Sequence, residues 1–148
     1  MKTKLLICAL LHAFLSIGVA QSQDIVGKWK TIDDETKKAK SVVEIYKGKD
    51  GLYYGKIIKL FPAPGEDPNP KCTACSGDLY NKPVIGMEII KKMKKVDKNT
   101  WDDGTILDPG NGNKYDCKMY IEKGNLVVRG YLGWSLIGRS QTWLPYKE

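Results

Sequence analysis

Residues 114–122 read Lys-Tyr-Asp-Cys-Lys-Met-Tyr-Ile-Glu, and this stretch decides the fold class. Successive side chains of a β-strand point to opposite faces, so residues two apart share a face. One face of this stretch is therefore apolar or aromatic, and the other is charged apart from Tyr120: Tyr115, Cys117, Met119 and Ile121 against Lys114, Asp116, Lys118 and Glu122. The pattern predicts a strand that lies between a protein core and solvent.

Similar alternation, separated by turn residues, recurs on both sides of this strand, and no stretch longer than ten residues has a helical period. Sequential strands joined by short turns favour an all-β, antiparallel, up-and-down barrel of eight strands, with a β-sandwich as the alternative. A barrel of this size is either filled by side chains or holds one small ligand. The predicted strands are Gly27–Ile32, Ser41–Lys47, Leu52–Phe61, Val84–Val96, Trp101–Leu107, Lys114–Glu122, Leu126–Gly133 and Gly138–Trp143.

The first twenty residues have the organisation of a signal peptide. Lys2 and Lys4 precede an apolar run, which ends at the small residues Gly18-Val19-Ala20. We therefore expect cleavage before Gln21, export to the periplasm or the extracellular space, and a single soluble domain over residues 21–148 that does not span a membrane.

Histidine chemistry is excluded by composition. His12 is the one histidine of the chain, and it lies in the predicted signal peptide. This removes catalytic triads, histidine acid–base catalysis and histidine metal ligands from the exported protein. Carboxylate or lysine chemistry remains open in principle, but we expect no enzyme, no cofactor and no metal site.

Cysteines give the one exception to that expectation. Cys72 and Cys75 are spaced as in redox or zinc motifs, but they follow Asp67-Pro68-Asn69-Pro70 in a loop. An oxidising compartment favours a structural disulfide, and metal binding and thiol redox chemistry are the alternatives. Cys117 is then expected to be a buried free thiol. The pair belongs to residues 62–83, which hold five of the chain's seven prolines and predict an ordered flap.

The net charge of the chain does not by itself indicate which class of molecule it binds. Without Lys2 and Lys4, the excess of basic over acidic residues falls from seven to five, and the lysines are spread along the chain. The cluster Lys91, Lys92, Lys94 and Lys95 is expected to be a solvated strand face, and contact with an anionic envelope component is the alternative. We expect no nucleic-acid binding, since no basic stripe with interleaved aromatic residues is present. The acidic residues at 102–103 and in 108–113 lack the spacing of a calcium loop, and residues 108–113 are expected to form a turn.

Five segments together resemble the bacterial domain-of-unknown-function family 2147. The likeness spans nearly all of residues 24–144 and implies a small exported protein with a lipocalin-like barrel and no established activity. In lipocalin-like barrels, an arginine of the last strand packs across the tryptophan of the opening Gly-x-Trp and closes the barrel floor. By that resemblance Gly27, Trp29 and Arg139 would close this barrel. The five segments are IVGKW at 25–29, NKPVIGM at 81–87, WDDGTILDP at 101–109, VRGYLG at 128–133 and GRSQTW at 138–143.

Two function hypotheses follow. The first is an exported protein that binds a small apolar or amphipathic molecule inside the barrel, with the flap near the mouth. The second is an envelope structural or interaction protein that acts through its surface or the flap. For the first hypothesis, the candidate ligand-binding residues are Tyr54, Glu88, Trp101, Tyr115, Met119 and Arg129.

Overall fold

The computed structural model describes residues 23–133 and 137–148, and the predicted signal peptide lies outside them. Over these ranges the chain forms eight strands that follow one another around a closed antiparallel barrel, in which β8 returns to pair with β1. The predicted barrel is confirmed, and the sandwich alternative is wrong because the sheet closes on itself. The strands are β1 Gly27–Ile32, β2 Ala39–Lys47, β3 Tyr53–Leu60, β4 Glu88–Asp97, β5 Thr100–Asp108, β6 Asn113–Glu122, β7 Asn125–Leu132 and β8 Ile137–Pro145.

The start of β4 is the one strand bound that departs clearly from prediction. The sequence pattern places it at Val84, whereas the strand begins at Glu88. Residues 84–87 instead form a turn, in which the Met87 N–H donates to the Val84 carbonyl at 3.1 Å and Gly86 has a φ of 89°. The backbone in this turn cannot continue the strand, so the long connection after β3 extends to Met87.

This connection lies at the end of the barrel that we call the mouth, where the β1–β2 and β5–β6 connections also lie and where β7 ends and β8 begins. It contains a short 3-10 helix, Gly77–Leu79, and a β-bridge between Lys71 and Pro83. The Cys72 N–H donates to the Lys82 carbonyl at 2.8 Å. Hydrogen bonds therefore order the proline-rich segment without regular strands. Among the described residues, no helix has the length and apolar character needed to cross a bilayer.

The opposite end of the barrel, the floor, is filled by large side chains. Trp101 is fully buried and meets the Tyr53 ring edge-on, with ring centres 5.8 Å apart. Met93, Met119 and Leu126 are also completely buried. The interior is thus packed solid at the floor, which leaves the mouth half as the place where space remains.

Candidate functional site

A cavity of about 650 Å³ occupies the mouth half of the barrel. This volume lies within the range of sites that enclose a small organic molecule. Residues at the mouth ends of the strands and residues of the proline-rich segment, such as Pro62 and Pro70, line it. The predicted position of the flap near the mouth is therefore confirmed.

The wall of the cavity differs from one side of the barrel to the other. Strands β3, β4 and β5 contribute apolar side chains, namely Ile57, Ile89 and Ile106. Across the barrel, β2, β1 and β8 contribute Ser41, Thr31 and Gln141, which are polar and uncharged. The cavity therefore presents an apolar wall opposite a neutral polar wall.

The two hydroxyls of the polar wall form a buried pair. Thr31 Oγ1 lies 2.7 Å from Ser41 Oγ, and the Ser41 N–H donates to Thr31 Oγ1 at 3.0 Å. Both residues are only 7% exposed. Buried polar groups are stable when they are hydrogen-bonded, so this pair can remain inside an otherwise apolar barrel.

A second polar cluster joins β8 to the β1–β2 loop at the mouth. β1 and β8 are in register at Trp29–Pro145 and Lys30–Leu144. Beyond these pairs, Gln141 Nε2 donates to Asp34 Oδ2 at 2.9 Å, and the Arg139 guanidinium also donates to this oxygen. The Gln141 hydrogen bond, followed by the Arg139 hydrogen bond and charge, lowers the pKa of the Asp34 carboxyl against the opposing effect of burial. We call this cluster of Asp34, Arg139 and Gln141 the mouth seam.

Gln141 also connects the mouth seam to the bottom of the cavity. The Trp143 Nε1–H donates to Gln141 Oε1 at 3.3 Å, and Trp143 is 2% exposed. Gln141 and Trp143 both line the cavity. The amide is thus held in one orientation from both sides.

The predicted disulfide between Cys72 and Cys75 is present, and both cysteines are buried. Cys72 Sγ lies 3.3 Å from the carbonyl oxygen of Pro109 in the β5–β6 turn. In the same turn, a Cβ added to Gly112 would lie 1.9 Å from the Ala74 carbonyl oxygen. The disulfide loop therefore packs directly against the β5–β6 turn at the cavity rim. Cys117 is a buried free cysteine, as predicted.

Of the predicted ligand-binding residues, Tyr115 lines the cavity. Trp101 and Met119 point into the barrel, but they belong to the packed floor below the cavity. Tyr54, Glu88 and Arg129 were assigned wrongly, because all three lie on the outer face of the barrel.

The outer position of Tyr54 and Glu88 is fixed by their contacts. The Tyr54 hydroxyl donates to Asp50 Oδ2 at 2.5 Å, and its ring stacks on Tyr46 with centres 5.9 Å apart. The Tyr46 hydroxyl in turn donates to Glu88. Burial, and then this contact with Glu88, raises the pKa of Tyr46 to about 12.

Arg129 is outward-facing because it is in register with Lys118 and Ser140, between the inward-facing Val128 and Gly130. Its Nη1 donates to Ser140 Oγ at 3.3 Å.

Barrel closure also departs from the prediction. Trp29 is 4% exposed, and its Nε1–H donates to the Ile25 carbonyl at 2.8 Å. Gly27 opens β1 nearby, but Arg139 lies at the mouth and binds Asp34 rather than Trp29. Pro145 is the partner of Trp29 and lies six positions after Arg139 in β8, so Arg139 and Trp29 are about 20 Å apart along the strand.

Lysines make the cation–π contacts of the floor instead. Lys95 Nζ lies 5.2 Å from the centre of the Trp101 ring, and Lys47 Nζ lies 5.5 Å from the Tyr53 ring centre. Lys91, Lys92 and Lys94 are exposed, as expected for a solvated strand face.

No three side chains of histidine, cysteine, aspartate or glutamate come together as a metal site in the described part of the chain. The Asp108 carboxylate accepts the Gly110 N–H at 2.8 Å, and the Asp108 carbonyl accepts the Gly112 N–H at 2.8 Å. These bonds are those of the turn predicted at residues 108–113.

Sequence analysis did not single out Thr31, Ser41 or Gln141. A signal was nevertheless present, because Ser41, Val43 and Ile45 alternate along β2 as inward-facing positions. The one polar residue of this series is at the mouth end of the strand. Along this inward-facing series, the change from apolar to polar marks the level at which the cavity begins.

Comparisons with known proteins support the fold. The solved structure of a Helicobacter pylori protein, described as belonging to the lipocalin family, superposes with a TM-score of 0.72 at 20% identity over 84% of each chain. The comparison with curated proteins gives no match. The family model for uncharacterised proteins conserved in bacteria, DUF2147, matches residues 27–144. With nearly the whole barrel inside that match, the chain belongs to the DUF2147 family.

Proposed function

We propose that this protein is exported and holds one small apolar or amphipathic molecule in the mouth half of its barrel. The observation that carries the proposal is the open cavity of about 650 Å³ above a solid floor. Packed protein interiors contain few voids larger than a water molecule. A cavity of this size with an apolar wall is a site for an organic ligand rather than a packing defect.

The burial of the cysteines Cys72, Cys75 and Cys117 favours a binding function over thiol catalysis. The Cys117 thiol has a pKa raised to about 12, mainly by burial, so it is a poor nucleophile. Cys72 and Cys75 are 1% and 5% exposed and are packed against the β5–β6 turn. This environment supports a structural role for the disulfide at the rim of the site.

Binding of N-phenyl-1-naphthylamine, a neutral dye that fluoresces in apolar surroundings, tests the proposal. The purified protein should bind it saturably at one site per chain, and Gly130→Leu should abolish binding. Gly130 lines the cavity, and an added Cβ would make ordinary contacts of 3.4 Å with Ile106 Cγ2 and 3.5 Å with Tyr115 Cβ. The rest of the leucine side chain would then fill the empty space.

Thr142→Leu is the matched control, because Thr142 is an exposed residue of the adjacent strand β8 and lies on the outer face. It should bind the dye like the unmodified protein. Absence of saturable binding, or equal binding by the Gly130→Leu variant, would contradict the proposal. If the dye does bind as expected, native mass spectrometry of protein purified from its own host would identify a resident ligand as an additional mass that disappears on unfolding.

One observation favours the alternative, an envelope interaction protein that acts through its surface. Leu132 and Ile137 are cross-strand partners at the mouth and are 57% and 75% exposed. Exposed apolar pairs of this kind occur at contacts with other molecules. If Leu132→Ser with Ile137→Ser removes an interaction with envelope components while dye binding is absent in all variants, the alternative replaces the first proposal.

A further inference from the structure

The hydrogen-bonding capacity of the polar wall points to the chemistry of the ligand. A primary amide has two N–H donors and two acceptor lone pairs. Gln141 uses one donor for Asp34 and one lone pair for the Trp143 Nε1–H. Within the described ranges of the chain, one donor and one lone pair of this cavity-lining amide remain unused. These are partners for a hydroxyl or a carbonyl group.

Ser41 and Thr31 add neutral partners on the same wall. Their hydroxyls lie 2.7 Å apart, and the Thr31 hydroxyl already accepts the Ser41 N–H. Ser41 Oγ keeps lone pairs that can accept a hydrogen bond from a ligand. Thr31, Ser41 and Gln141 thus offer both donors and acceptors, and none of the three side chains carries a charge.

The charged residues around the cavity are already balanced. Arg139, which lines the mouth, is neutralised by Asp34. The other charged lining residues are two lysines, Lys40 and Lys71, and three carboxylates, Glu66, Asp67 and Asp108. Lys40, Lys71 and the three carboxylates are all exposed. The rim therefore has no excess of positive charge for an anionic ligand.

Each of the three rim carboxylates also accepts a backbone hydrogen bond from its own loop. Glu66 accepts the Ala63 N–H at 2.8 Å, Asp67 accepts the Asn69 N–H at 2.9 Å, and Asp108 accepts the Gly110 N–H at 2.8 Å. These hydrogen bonds tie each carboxylate to its own loop at the exposed rim. Burial of an ionic group without a partner is strongly unfavourable, so neither sign of charge is matched inside the cavity.

We propose that the cavity selects an amphiphile without net charge, whose hydroxyl or carbonyl end binds Gln141 and Ser41 while its apolar part lies against Ile57, Ile89 and Ile106. This inference rests on the proposed function, because it specifies the ligand class of the same cavity. Gln141 is the main residue that determines specificity.

Displacement of bound N-phenyl-1-naphthylamine by dodecanol, dodecanoate and dodecylammonium at neutral pH tests the inference. The three probes share one alkyl chain and differ in the charge of the polar end. Dodecanol should displace the dye at a concentration at least about tenfold lower than either ion, equivalent to about 1.4 kcal/mol. Equal or tighter binding of dodecanoate or dodecylammonium would overturn the inference and leave the proposed function intact. Failure of the dye itself to bind would instead contradict the proposed function.

A variant of Gln141 tests whether this residue causes the preference for an uncharged ligand. Gln141→Leu replaces the amide with an apolar side chain one heavy atom shorter, and it should reduce the ratio of dodecanol to dodecanoate affinity at least fivefold. Thr142→Leu, on the outer face of the same strand, is the control and should keep the ratio. Circular dichroism of both variants checks that the barrel is intact. An unchanged ratio in a folded Gln141→Leu protein would show that Gln141 does not set the preference.

Discussion

Cys117 points into the barrel and is the cross-strand partner of two glycines, Gly104 and Gly130. It is fully buried, and burial followed by the charge of Asp102 raises its pKa to about 12. The reactive form of cysteine is the thiolate. A thiol in this position should be inert in the native protein.

We therefore expect Cys117 to react with 5,5′-dithiobis(2-nitrobenzoate) only after unfolding. In denaturant without reductant, one thiol of residues 21–148 should react, because Cys72 and Cys75 are joined in a disulfide. Prior reduction should raise the count to three, and Cys8 adds one more thiol where residues 1–20 are retained. Rapid reaction of the native protein would mean that the position is accessible.

Asp34 provides a residue-level test of the mouth seam. Its pKa is lowered by Gln141 first and then by Arg139. A carboxyl whose pKa is lower in the folded state stabilises the fold above its unfolded pKa of about 3.9, and this contribution is lost as the pH falls through the folded value. Because the Asp34 side chain is 32% exposed, the contribution should be below about 1 kcal/mol.

An NMR titration of the Asp34 carboxyl should show its pKa rising in Gln141→Ala and in Arg139→Gln. Lys118→Gln is the control, because Lys118 pairs with Asp102 at 3.3 Å. It should leave the Asp34 titration in place. Titration of Asp34 at an ordinary pKa in the unmodified protein would mean that the seam does not form in solution.

At the level of elements, the position of the flap depends on its contact with the β5–β6 turn. Gly112 has a φ of 73°, and an added Cβ would lie 1.9 Å from the Ala74 carbonyl oxygen. Gly112→Ala should lower the free energy of unfolding by about 2–5 kcal/mol, since left-handed backbone strain and a steric clash add. Urea unfolding followed by fluorescence measures this loss.

Gly124 is the matched control for this substitution. Its φ is 77°, but no atom lies within 4 Å of an added Cβ. Gly124→Ala should therefore cost only the backbone strain, about 1–2 kcal/mol. Equal losses in the two variants would show that the disulfide loop does not pack against the turn.

The element scale also explains how far prediction from sequence could reach. Alternation and turn residues located the strands to within two residues, apart from the start of β4. They could not assign faces where the alternation fails. In β4, Ile89 and Ile90 are both buried while Lys91 and Lys92 are both exposed, and Lys92 has a φ of 58°. Such irregularities shift which residues face inward, and the inward assignment of Glu88 was wrong for this reason.

Arg129 and Tyr54 were misplaced for a related reason. Leu126, Val127 and Val128 are all buried, so hydrophobicity alone does not tell which of them faces the barrel interior. Tyr53 and Tyr54 are identical neighbours, and only the first is inward-facing and buried. Face assignment in these strands depends on register with neighbouring strands, which a single sequence does not contain.

For the whole molecule, the main consequence of the fold is its division into a packed floor and a hollow mouth. Leu126 is fully buried in the core, whereas Leu60 is partly buried and lines the cavity. Truncation of a packed leucine leaves a new void and costs about 2–5 kcal/mol. At the cavity wall, part of the side chain already lacks packing partners, so truncation should cost about 1–2 kcal/mol.

Leu126→Ala in the floor and Leu60→Ala in the mouth should therefore differ in their effects on stability and on dye binding. Leu126→Ala should lower the denaturant midpoint strongly and leave dye binding per folded chain little changed. Leu60→Ala should lower the midpoint less but alter dye affinity, because it enlarges the site itself. Equal destabilisation would mean that the mouth is as tightly packed as the floor in solution. In that case the cavity would be absent, and the barrel would act through its surface.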